Sequence, residues 1–382
     1  MIVVLLASEV IRERIRRDGR IPFNVFMDLA LYSRGGYYQD SRLLASNRDY
    51  YTSPKVHPIF GMLMAIQLWV LWCHLGKISK FPIIEQGGGD AHWAEDIRSF
   101  AFIVSPEFGE ALEYVLIDRH IVVDTPKNLN HLIANNIPLL AQNGVIISNE
   151  LLDAFPSKLF EIRNGRPLEV YVGLNKQDQF FEILDIPETV VLEQALSEIN
   201  VMELEGYRGG YNTGLDSWVN NVSDALERGF VITIDYGYDR EVYYSMEKSN
   251  RLFQTYYKHV DGGSPYERVG NQDMTAHINF GELIDLGRLT GLSPIYYGTQ
   301  ADWLMRLGFH DVYNNYIDRL PEYKTRTVRS KALIDSYGLG GFKVLIQEKD
   351  TELMNECLLF PKELRFSDWD LLPLDNRYLV SG

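Results

Sequence analysis

Cysteine is scarce in this sequence of 382 residues, which contains only Cys73 and Cys357. Two thiols so far apart in the chain form neither a disulfide framework nor a zinc-ligand pattern. We therefore expect two ordinary thiols in a reducing compartment, and no metal site.

Positive charge is also in short supply, because the formal net charge is −15 at pH 7. Nucleic-acid backbones and anionic lipid surfaces attract basic patches, so this balance argues against both as partners. The densest basic stretch, IRERIRRDGR (Ile11–Arg20), predicts the solvated face and end of a helix.

Long apolar runs are missing as well. The run PIFGMLMAIQLWVLWCHLG (Pro58–Gly76) contains Gln67 and His74. It falls short of the ~20 clean apolar residues that a membrane span needs, so it predicts a buried core helix. No basic region precedes the N-terminal MIVVLLASEV, so a signal peptide is not expected. We expect a bacterial cytoplasm, or the mitochondrial matrix for a trimmed eukaryotic chain.

Short apolar strands alternate with helical segments through the middle of the chain. The expected strands are FPIIE (81–85), LEYVLID (112–118), GVIISN (144–149) and RGFVITIDYG (228–237). Continuous apolar strands separated by helices imply a parallel sheet that is covered on both faces. Two later strands, LSPIYYG (292–298) and GFKVLIQEK (341–349), are expected to pair antiparallel at its edge.

Other segments have a different pattern. KLFEIR, LEVYVGL and QFFEIL, between Ser157 and Val190, predict an antiparallel meander inserted into the α/β unit. KNLNHLIANN (127–136) is expected to be helical, and Asn250–Gly270 is expected to be a loop.

The stretch FPIIEQGGGDAHW places Glu85 before Gly87, Gly88 and Gly89, with one residue, Gln86, between them, at the end of a predicted strand. Glycine allows a ligand to approach the backbone, and ligands bind outside the carboxyl ends of strands in open α/β sheets. His92 stands where a dinucleotide site would have its third glycine, and the P-loop lysine is missing. An acid before the glycines suits a cationic ligand, and E-x-G-x-G is typical of S-adenosylmethionine sites.

Polar residues follow the other strands too. Asp118 is placed to accept the ribose hydroxyls, with a helix cap or a solvated loop acid as the alternative. Asn149 is a candidate cofactor contact. Glu150 and Asp153 are candidates for holding a cationic substrate, unless they cap a helix. Asp235 faces the same cleft or is a turn acid.

The segment Gln-Asp-Met-Thr-Ala-His contains Asp273 and His277 at i and i+4. If this segment is helical, the two side chains share a face. They then form a base or a substrate-orienting pair, since histidine titrates near neutral pH. The alternative is a capping aspartate and a packed histidine.

Several motifs together resemble the MidA-like class I methyltransferases, a family that includes the mitochondrial methyltransferase assisting respiratory complex I assembly. The resemblance runs from about Arg20 to about Gly308. The matching pieces are IPFNVFMDLALYS with GGYY, DYYTSPKVHPIFG, IIEQGGG, ISNELLDAFP, ITIDYGY and YYKHVDGGSPYERVGNQDMTAHINF. The last piece is the most specific.

The resemblance implies an α/β, Rossmann-like class I methyltransferase fold with a seven-stranded, mostly parallel sheet. It also implies S-adenosyl-L-methionine as cofactor and an arginine of a protein, such as a respiratory-complex subunit, as methyl acceptor. Thr52 and Ser53 would donate hydrogen bonds to the methionine carboxylate. The expected regions are an N-terminal helical lid (1–76), the cofactor-binding core (77–156 and 206–350), the meander as substrate or partner region (157–205) and a C-terminal tail (351–382).

The sequence departs from the family pattern at the glycine loop, where Asp90 and Ala91 replace the usual arginine and last glycine, and at Met62, where the family often has an acid. These departures motivate an alternative function, a non-catalytic or weakly active assembly factor. A nicotinamide-dependent oxidoreductase is disfavoured by the missing third glycine, and a serine hydrolase by the absence of G-x-S-x-G. The oligomeric state, monomer or homodimer, is left open.

Overall fold

The computed structural model describes residues 6–39, 52–89, 91–119, 129–138, 140–197, 199–258, 260–353, 355–361, 369–374 and 378. Within these residues the strands, numbered in chain order, are β1 (Ile21–Pro22), β2 (Phe81–Gln86), β3 (Leu112–Asp118), β4 (Asn130–Ile133), β5 (Ala141–Asn149), β6 (Ser157–Arg163), β7 (Arg166–Leu174), β8 (Phe180–Asp185), β9 (Arg208–Asn212), β10 (Leu226–Asp235), β11 (Gly237–Tyr238), β12 (Phe253–Tyr257), β13 (Val260–Asp261), β14 (Asp273–Ala276), β15 (Ile278–Asn279), β16 (Ser293–Thr299) and β17 (Lys343–Lys349).

The α-helices of the same residues, also in chain order, are α1 (Ala7–Asp18), α2 (Phe23–Tyr32), α3 (Ser53–Val56), α4 (Ile59–His74), α5 (His92–Val104), α6 (Pro106–Ala111), α7 (Val191–Ser197), α8 (Leu215–Ala225), α9 (Arg240–Tyr243), α10 (Phe280–Leu289), α11 (Gln300–Arg306), α12 (Phe309–Arg319) and α13 (Lys324–Arg329).

Contacts within the chain divide it into two compact units. We call one the meander unit, formed by Met1–Tyr51, Leu152–Asp216 and Gly237–Glu282. The other is the core unit, formed by Thr52–Leu151, Ser217–Tyr236 and Leu283–Gly382. The functional division expected from the sequence stays a prediction.

The core unit is built on a sheet that has, among the described residues, the strand order β16-β17-β10-β5-β2-β3-β4. Strands β10, β5, β2, β3 and β4 are parallel neighbours, whereas β17 is antiparallel to both β10 and β16. From Gly229 to Asp235 every residue of β10 is buried. Since successive side chains point to opposite faces, this sheet is covered on both faces. The predicted parallel sheet and its antiparallel edge are confirmed.

Helix α4 is the apolar run that the sequence analysis assigned to the core. It is buried along most of its length, including Gln67. The Gln67 amide donates to the carbonyl of Leu359 at 3.0 Å and accepts from Trp303 Nε1 at 2.9 Å, so burial leaves it bonded. In the described ranges no helix is long and apolar enough to cross a membrane. The buried-helix prediction is confirmed.

The meander unit contains the predicted inserted strands. Strand β7 pairs antiparallel with both β6 and β8. The β6–β7 turn consists of Asn164 and Gly165, at φ values of 52° and 69°. A two-residue Asn-Gly loop with positive φ at both positions is the hairpin turn that matches strand twist. The predicted antiparallel meander is confirmed.

Two predicted elements are wrong. The segment 127–136 was expected to be helical, but Asn130–Ile133 form strand β4, paired with β3 at the sheet edge. The segment 250–270 was expected to be a loop, but Phe253–Tyr257 form strand β12, paired with β14. In both cases pairing with a neighbouring strand determined the conformation. Strand formation depends more on such tertiary context than on the propensity of the residues themselves.

Candidate functional site

Strands β2 and β5 are neighbours from which the chain leaves in opposite directions. After β2 it adds β3 and β4 on one side, and after β5 it adds β10 on the other. Such a topological switch point opens a crevice at the carboxyl ends of the two strands, where open α/β sheets bind ligands. Gln86 pairs with Ser148 at these ends, so the glycine loop and Asn149 emerge side by side.

The glycine loop joins β2 to α5. Gly87 and Gly89 have φ values of 79° and 61°, which favour glycine. A Cβ on Gly88 would lie 2.0 Å from Leu116 Cδ1 and 2.7 Å from Glu85 Oε1. Only glycine therefore fits there without displacing these side chains, and the half-buried backbone of Gly88 runs directly beside the Glu85 carboxylate. Asp90 lies outside the described residues.

Glu85 is buried just before this loop, with 3% of its surface exposed. Its Oε2 accepts a hydrogen bond from the Tyr114 hydroxyl at 2.7 Å. Burial, with the neighbouring Glu85 charge, raises the pKa of Tyr114 well above its ordinary value, so the phenol stays a donor. The carboxylate is therefore held in one orientation beside Gly88.

Asp118 ends β3 and binds the same loop. Its Oδ2 accepts a hydrogen bond from the Gly89 N–H at 3.2 Å. Glu85, the penultimate residue of β2, and Asp118, the last residue of β3, thus form one polar cluster with the glycine loop.

Gln86 is a member of this constellation that the sequence analysis missed. Its side chain donates to the carbonyl of Asn135 at 3.0 Å and accepts from Trp218 Nε1 at 2.9 Å. These bonds hold the end of β2 from two directions. Nothing in the local pattern marks Gln86, because both partners come from distant parts of the chain.

A second group of polar residues lies at the ends of β5 and β10. The Asn149 amide donates to Glu150 Oε1 at 2.9 Å, and the Ser53 N–H approaches the same oxygen at 3.4 Å. The Ser53 hydroxyl donates to Gln300 Oε1 at 2.9 Å. Thr52, at the start of α3, is buried next to Ser53. Three predicted site residues, Ser53, Asn149 and Glu150, are therefore brought together.

Glu150 has an unusual backbone conformation, with φ at 52°. Its N–H donates to the carbonyl of Ile234 at 2.9 Å. A non-glycine residue in the left-handed region is strained, and such strain clusters at functional sites. No helix follows in the described residues 151–156, which form a turn before β6, so the helix-cap alternative for Glu150 and Asp153 is wrong.

Asn149 also has a buried hydrogen-bond acceptor without a partner. Its Oδ1 makes no hydrogen bond with any described residue. Buried polar atoms usually have partners, so an orphaned acceptor at a strand end suits a ligand donor.

Asp235 ends β10 one residue after Ile234, which pairs with Asn149. It is fully buried, and its Oδ1 accepts from the Tyr236 N–H at 2.9 Å.

The remaining predicted site residues lie in the meander unit. Asp153 is fully buried, and its backbone carbonyl accepts from the Ala276 N–H at 2.9 Å. Asp273 begins strand β14, so the helical arrangement considered for Asp273 and His277 is wrong. Pairing with β12 converts this segment into a strand.

Asp273 has a specific partner from the N-terminal GGYY motif. The Tyr38 hydroxyl donates to Asp273 Oδ1 at 3.0 Å, and the Met274 N–H donates to the same oxygen at 2.9 Å. The Tyr38 ring stacks on Tyr32 with centroids 5.4 Å apart. Two motifs that are more than 200 residues apart in sequence thus meet at one buried carboxylate.

His277 lies against the Tyr238 ring, with centroids 5.2 Å apart and planes inclined by 8°. Its Nδ1 is 3.2 Å from the carbonyl of Leu252. Since a carbonyl only accepts, this contact places the proton on Nδ1. Burial, opposed by the Leu252 hydrogen bond and reinforced by Lys248, lowers the pKa of His277 to about 4. The imidazole is therefore neutral at pH 7.

Glu282, in the first turn of α10, is a titratable residue that the sequence analysis missed. Burial raises its pKa to about 7, with Arg240 opposing the shift and Asp216 adding to it. An acid in the first turn of a helix is common, so the sequence provides no signal for this behaviour. Among the described residues no group of histidine, cysteine, aspartate or glutamate has the geometry of a metal site.

Comparison with known proteins identifies the family of this chain. Residues 63–298 match the model of the family described as "Putative S-adenosyl-L-methionine-dependent methyltransferase". The chain is 22% identical over 389 residues to a mitochondrial protein arginine methyltransferase NDUFAF7 homolog of Caenorhabditis elegans, covering 93% of this chain and 86% of that protein. It is 23% identical over 309 residues to the Drosophila melanogaster counterpart, covering 72% and 68%.

A solved structure shares the fold. It is a superfamily member from Burkholderia thailandensis bound to S-adenosyl-homocysteine, with a TM-score of 0.81, 23% identity, and coverage of 92% of this chain and 94% of that one. The sheet described above is thus the class I methyltransferase sheet, as predicted.

This chain belongs to the S-adenosyl-L-methionine-dependent methyltransferase family, because the family model matches more than half of its length. Its cofactor is S-adenosyl-L-methionine, and the predicted MidA-like membership and enzyme class are confirmed. The residues present fit this cofactor. The side-chain-free Gly88, the oriented Glu85 carboxylate and the orphaned Asn149 acceptor suit a ligand with an ammonium and no pyrophosphate.

Proposed function

We propose that this enzyme methylates an arginine side chain of a protein substrate. The observation that carries the proposal is the strained Glu150, whose carboxylate is held by Asn149 at the switch point. The relatives named protein arginine methyltransferases support the choice of acceptor.

Glu85, Asp118, Asn149 and the glycine loop Gly87–Gly89 would hold the cofactor in this proposal, with Thr52 and Ser53 at its carboxylate. When bound, S-adenosyl-L-methionine supplies an electrophilic methyl group on a sulfonium. The chain then has to align the acceptor nitrogen and exclude water, which supplies much of the acceleration in a displacement of this kind.

Arginine needs more help than alignment. Its guanidinium has a pKa above about 12 and delocalises its charge, so it is a weak nucleophile. Carboxylates that bind it through paired hydrogen bonds localise the charge away from the attacking nitrogen. We assign this role to Glu150 and Asp235, because they directly follow the paired residues Asn149 and Ile234 at the carboxyl ends of neighbouring strands.

Asp153, Asp273 and His277 are further proposals in the meander unit. A base with a pKa near 4 removes protons poorly at neutral pH, so we assign His277 to orienting a donor group instead. Asp273, bonded to Tyr38, would position its segment. Asp153 would contact a cationic part of the substrate.

The proposed partner is a respiratory-complex subunit, in the mitochondrial matrix of a eukaryote or the cytoplasm of a bacterium. The relatives described as mitochondrial support the first location. An assembly factor without turnover is the second candidate function. The observation that favours it is Ala91, a residue with a φ of 64° where glycine would be at ease.

Calorimetric titration with S-adenosyl-L-methionine tests the cofactor site. Glu85→Ala and Asp118→Ala should weaken binding about 10- to 100-fold, since each removes a charged hydrogen-bond partner. The control Glu113→Ala removes an acid that lies on β3 but pairs at the surface with Lys80, and it should bind as the wild type does. Equal binding by all variants, or none by the wild type, would contradict the site.

Glu150→Gln tests the acceptor role. This variant should retain cofactor binding within about tenfold. It should lose roughly 100-fold in transfer of tritiated methyl groups to methylarginine in cell-extract protein. Asp302→Asn, at an exposed acid on α11, is the control. Binding without transfer by the wild type would favour the assembly-factor alternative.

A further inference from the structure

The meander unit contains a cavity that the proposed chemistry does not use. It has a volume of about 180 Å³ and lies among β6, β8, β9 and the chain around Asn250 and Gly263. Asn250 and Gly263 are exposed and form its mouth. A Cβ on Gly263 would meet nothing within 4 Å, so this side of the cavity is open space.

One wall of the cavity is apolar. Leu159 and Leu252 are buried with 5% and 2% exposure, and Phe253 and Pro265 line the same space. Binding is favoured when a ligand removes apolar walls of this kind from contact with water. The cavity therefore favours a ligand with an apolar body.

The other wall is a charged pair that is already satisfied. Arg208 Nη2 donates to both oxygens of Glu182 at 2.7 Å, and the Tyr266 hydroxyl donates to Glu182 Oε1 at 2.8 Å. The exposed fractions of the Arg208 and Glu182 side chains are 21% and 31%. Since the charges compensate each other, this wall does not demand an ionic ligand. It offers a planar guanidinium, which stacks well on aromatic rings.

Size selects among neutral ligands. A cavity of about 150 Å³ holds one benzene ring, so the space here holds one aromatic side chain and little more. A phenol would place its apolar ring against the leucines and its hydroxyl toward the Arg208–Glu182 pair. Large aromatic anchors seated in pockets of this kind dominate protein–protein recognition.

We propose that this cavity binds a tyrosine side chain of the protein substrate and so anchors the substrate on the meander unit. The inference rests on the proposed function for the identity of the ligand as a protein. The expectation that residues 157–205 form a substrate region agrees with it, since Leu159 and Glu182 belong to that region.

The test measures the binding of N-acetyl-L-tyrosinamide, as probe, to the full chain by methyl-group NMR. We expect binding in roughly the millimolar range, as a single side chain allows. N-acetyl-L-alaninamide and N-acetyl-L-argininamide should bind at least tenfold more weakly. Leu159→Phe should fill the cavity and weaken the tyrosine probe at least tenfold. Leu204→Phe, a half-buried leucine outside the cavity, is the matched control.

Arg208→Lys provides a second variant that keeps the charge opposite Glu182. It should weaken the tyrosine probe about three- to tenfold through loss of the planar group. Equal binding of the alanine and tyrosine probes, preference for the arginine probe, or full tyrosine binding by Leu159→Phe would each overturn the proposal.

Calorimetry with S-adenosyl-L-methionine on the same samples separates the cavity proposal from the methyltransferase proposal. If the wild type binds the cofactor but not the tyrosine probe, the cavity proposal fails and the methyltransferase proposal stands. If the reverse holds, the cavity remains an aromatic site and its assignment to a methylation substrate falls.

Discussion

The core unit and the meander unit use their acidic side chains differently. In the core unit, Glu85 accepts from Tyr114 beside the glycine loop, and Asp118 accepts from the N–H of Gly89 within that loop. In the meander unit, Asp273 accepts from Tyr38 and so joins two sequence motifs. The first arrangement shapes a surface that a ligand can approach, whereas the second connects segments of the fold. The most specific sequence motif is thus linked to the N-terminal GGYY motif through the Asp273 carboxylate.

Gly88→Ala is the change that should break the core-unit arrangement most severely. Its Cβ would lie 2.0 Å from Leu116 Cδ1 and 2.7 Å from the Glu85 carboxylate. We expect cofactor affinity to fall more than about 100-fold, and the free energy of unfolding to fall by about 1–3 kcal/mol from overpacking. Calorimetry and urea denaturation measure the two effects. Gly210→Ala, where a Cβ meets nothing closer than 3.5 Å, is the control, and a Gly88→Ala enzyme that binds normally would contradict the loop assignment.

Tyr38→Phe tests the opposite claim for the meander unit. Removing the hydroxyl leaves the buried Asp273 carboxylate with one donor fewer, which should lower the free energy of unfolding by about 2 kcal/mol. Cofactor affinity should change less than about threefold. Tyr337→Phe, at a fully exposed tyrosine, is the control for denaturation. A stable variant that has lost methyl transfer would instead make Tyr38 and Asp273 part of the chemistry.

Glu282→Gln should reveal a pH dependence specific to the meander unit. Because burial raises the pKa of Glu282 from 4.5 to about 7, the folded protein binds this proton more tightly than the unfolded chain does. Its contribution to stability is therefore complete below about pH 4.5 and is lost as the pH rises through 7. Relative to the wild type, the variant should gain on the order of 1–2 kcal/mol between these pH values, after allowance for partial solvent screening.

Urea denaturation at pH 4.5 and 7.5 measures this difference, with Glu241→Gln, at an exposed acid, as the control. A constant offset between variant and wild type across that range would show that Glu282 titrates normally.

Ala91→Gly should have the smallest effect. Left-handed backbone costs a non-glycine residue about 1–2 kcal/mol, but glycine loses more entropy on folding. We expect the free energy of unfolding to rise by less than about 1 kcal/mol and cofactor affinity to rise no more than about threefold. Denaturation and calorimetry measure both. A much larger gain in affinity would mean that Ala91 disables the loop, as the assembly-factor alternative requires.

Much of the core unit could be predicted from the sequence, because β2, β3, β5 and β10 are continuous apolar runs bounded by polar residues. The glycine loop could also be predicted, because Glu85 and the three glycines lie close together in the sequence. Strands β4 and β12 were missed because short segments with mixed composition depend on a neighbouring strand for their conformation. The links from Gln86 to Trp218 and from Tyr38 to Asp273 join residues that are 132 and 235 positions apart, so no local pattern contains them.

The sequence by itself determined the order of the buried strands, the acid before three glycines, and the inserted meander. These depend on hydrophobic periodicity and on residue types at adjacent positions. Only the tertiary structure decided that Glu150 adopts a left-handed backbone at the switch point and that Asp273 accepts a hydrogen bond from Tyr38. It also decided that an Arg208–Glu182 pair borders a cavity. Each of these depends on which distant segments come into contact, because those contacts determine the hydrogen-bond partners of the buried groups.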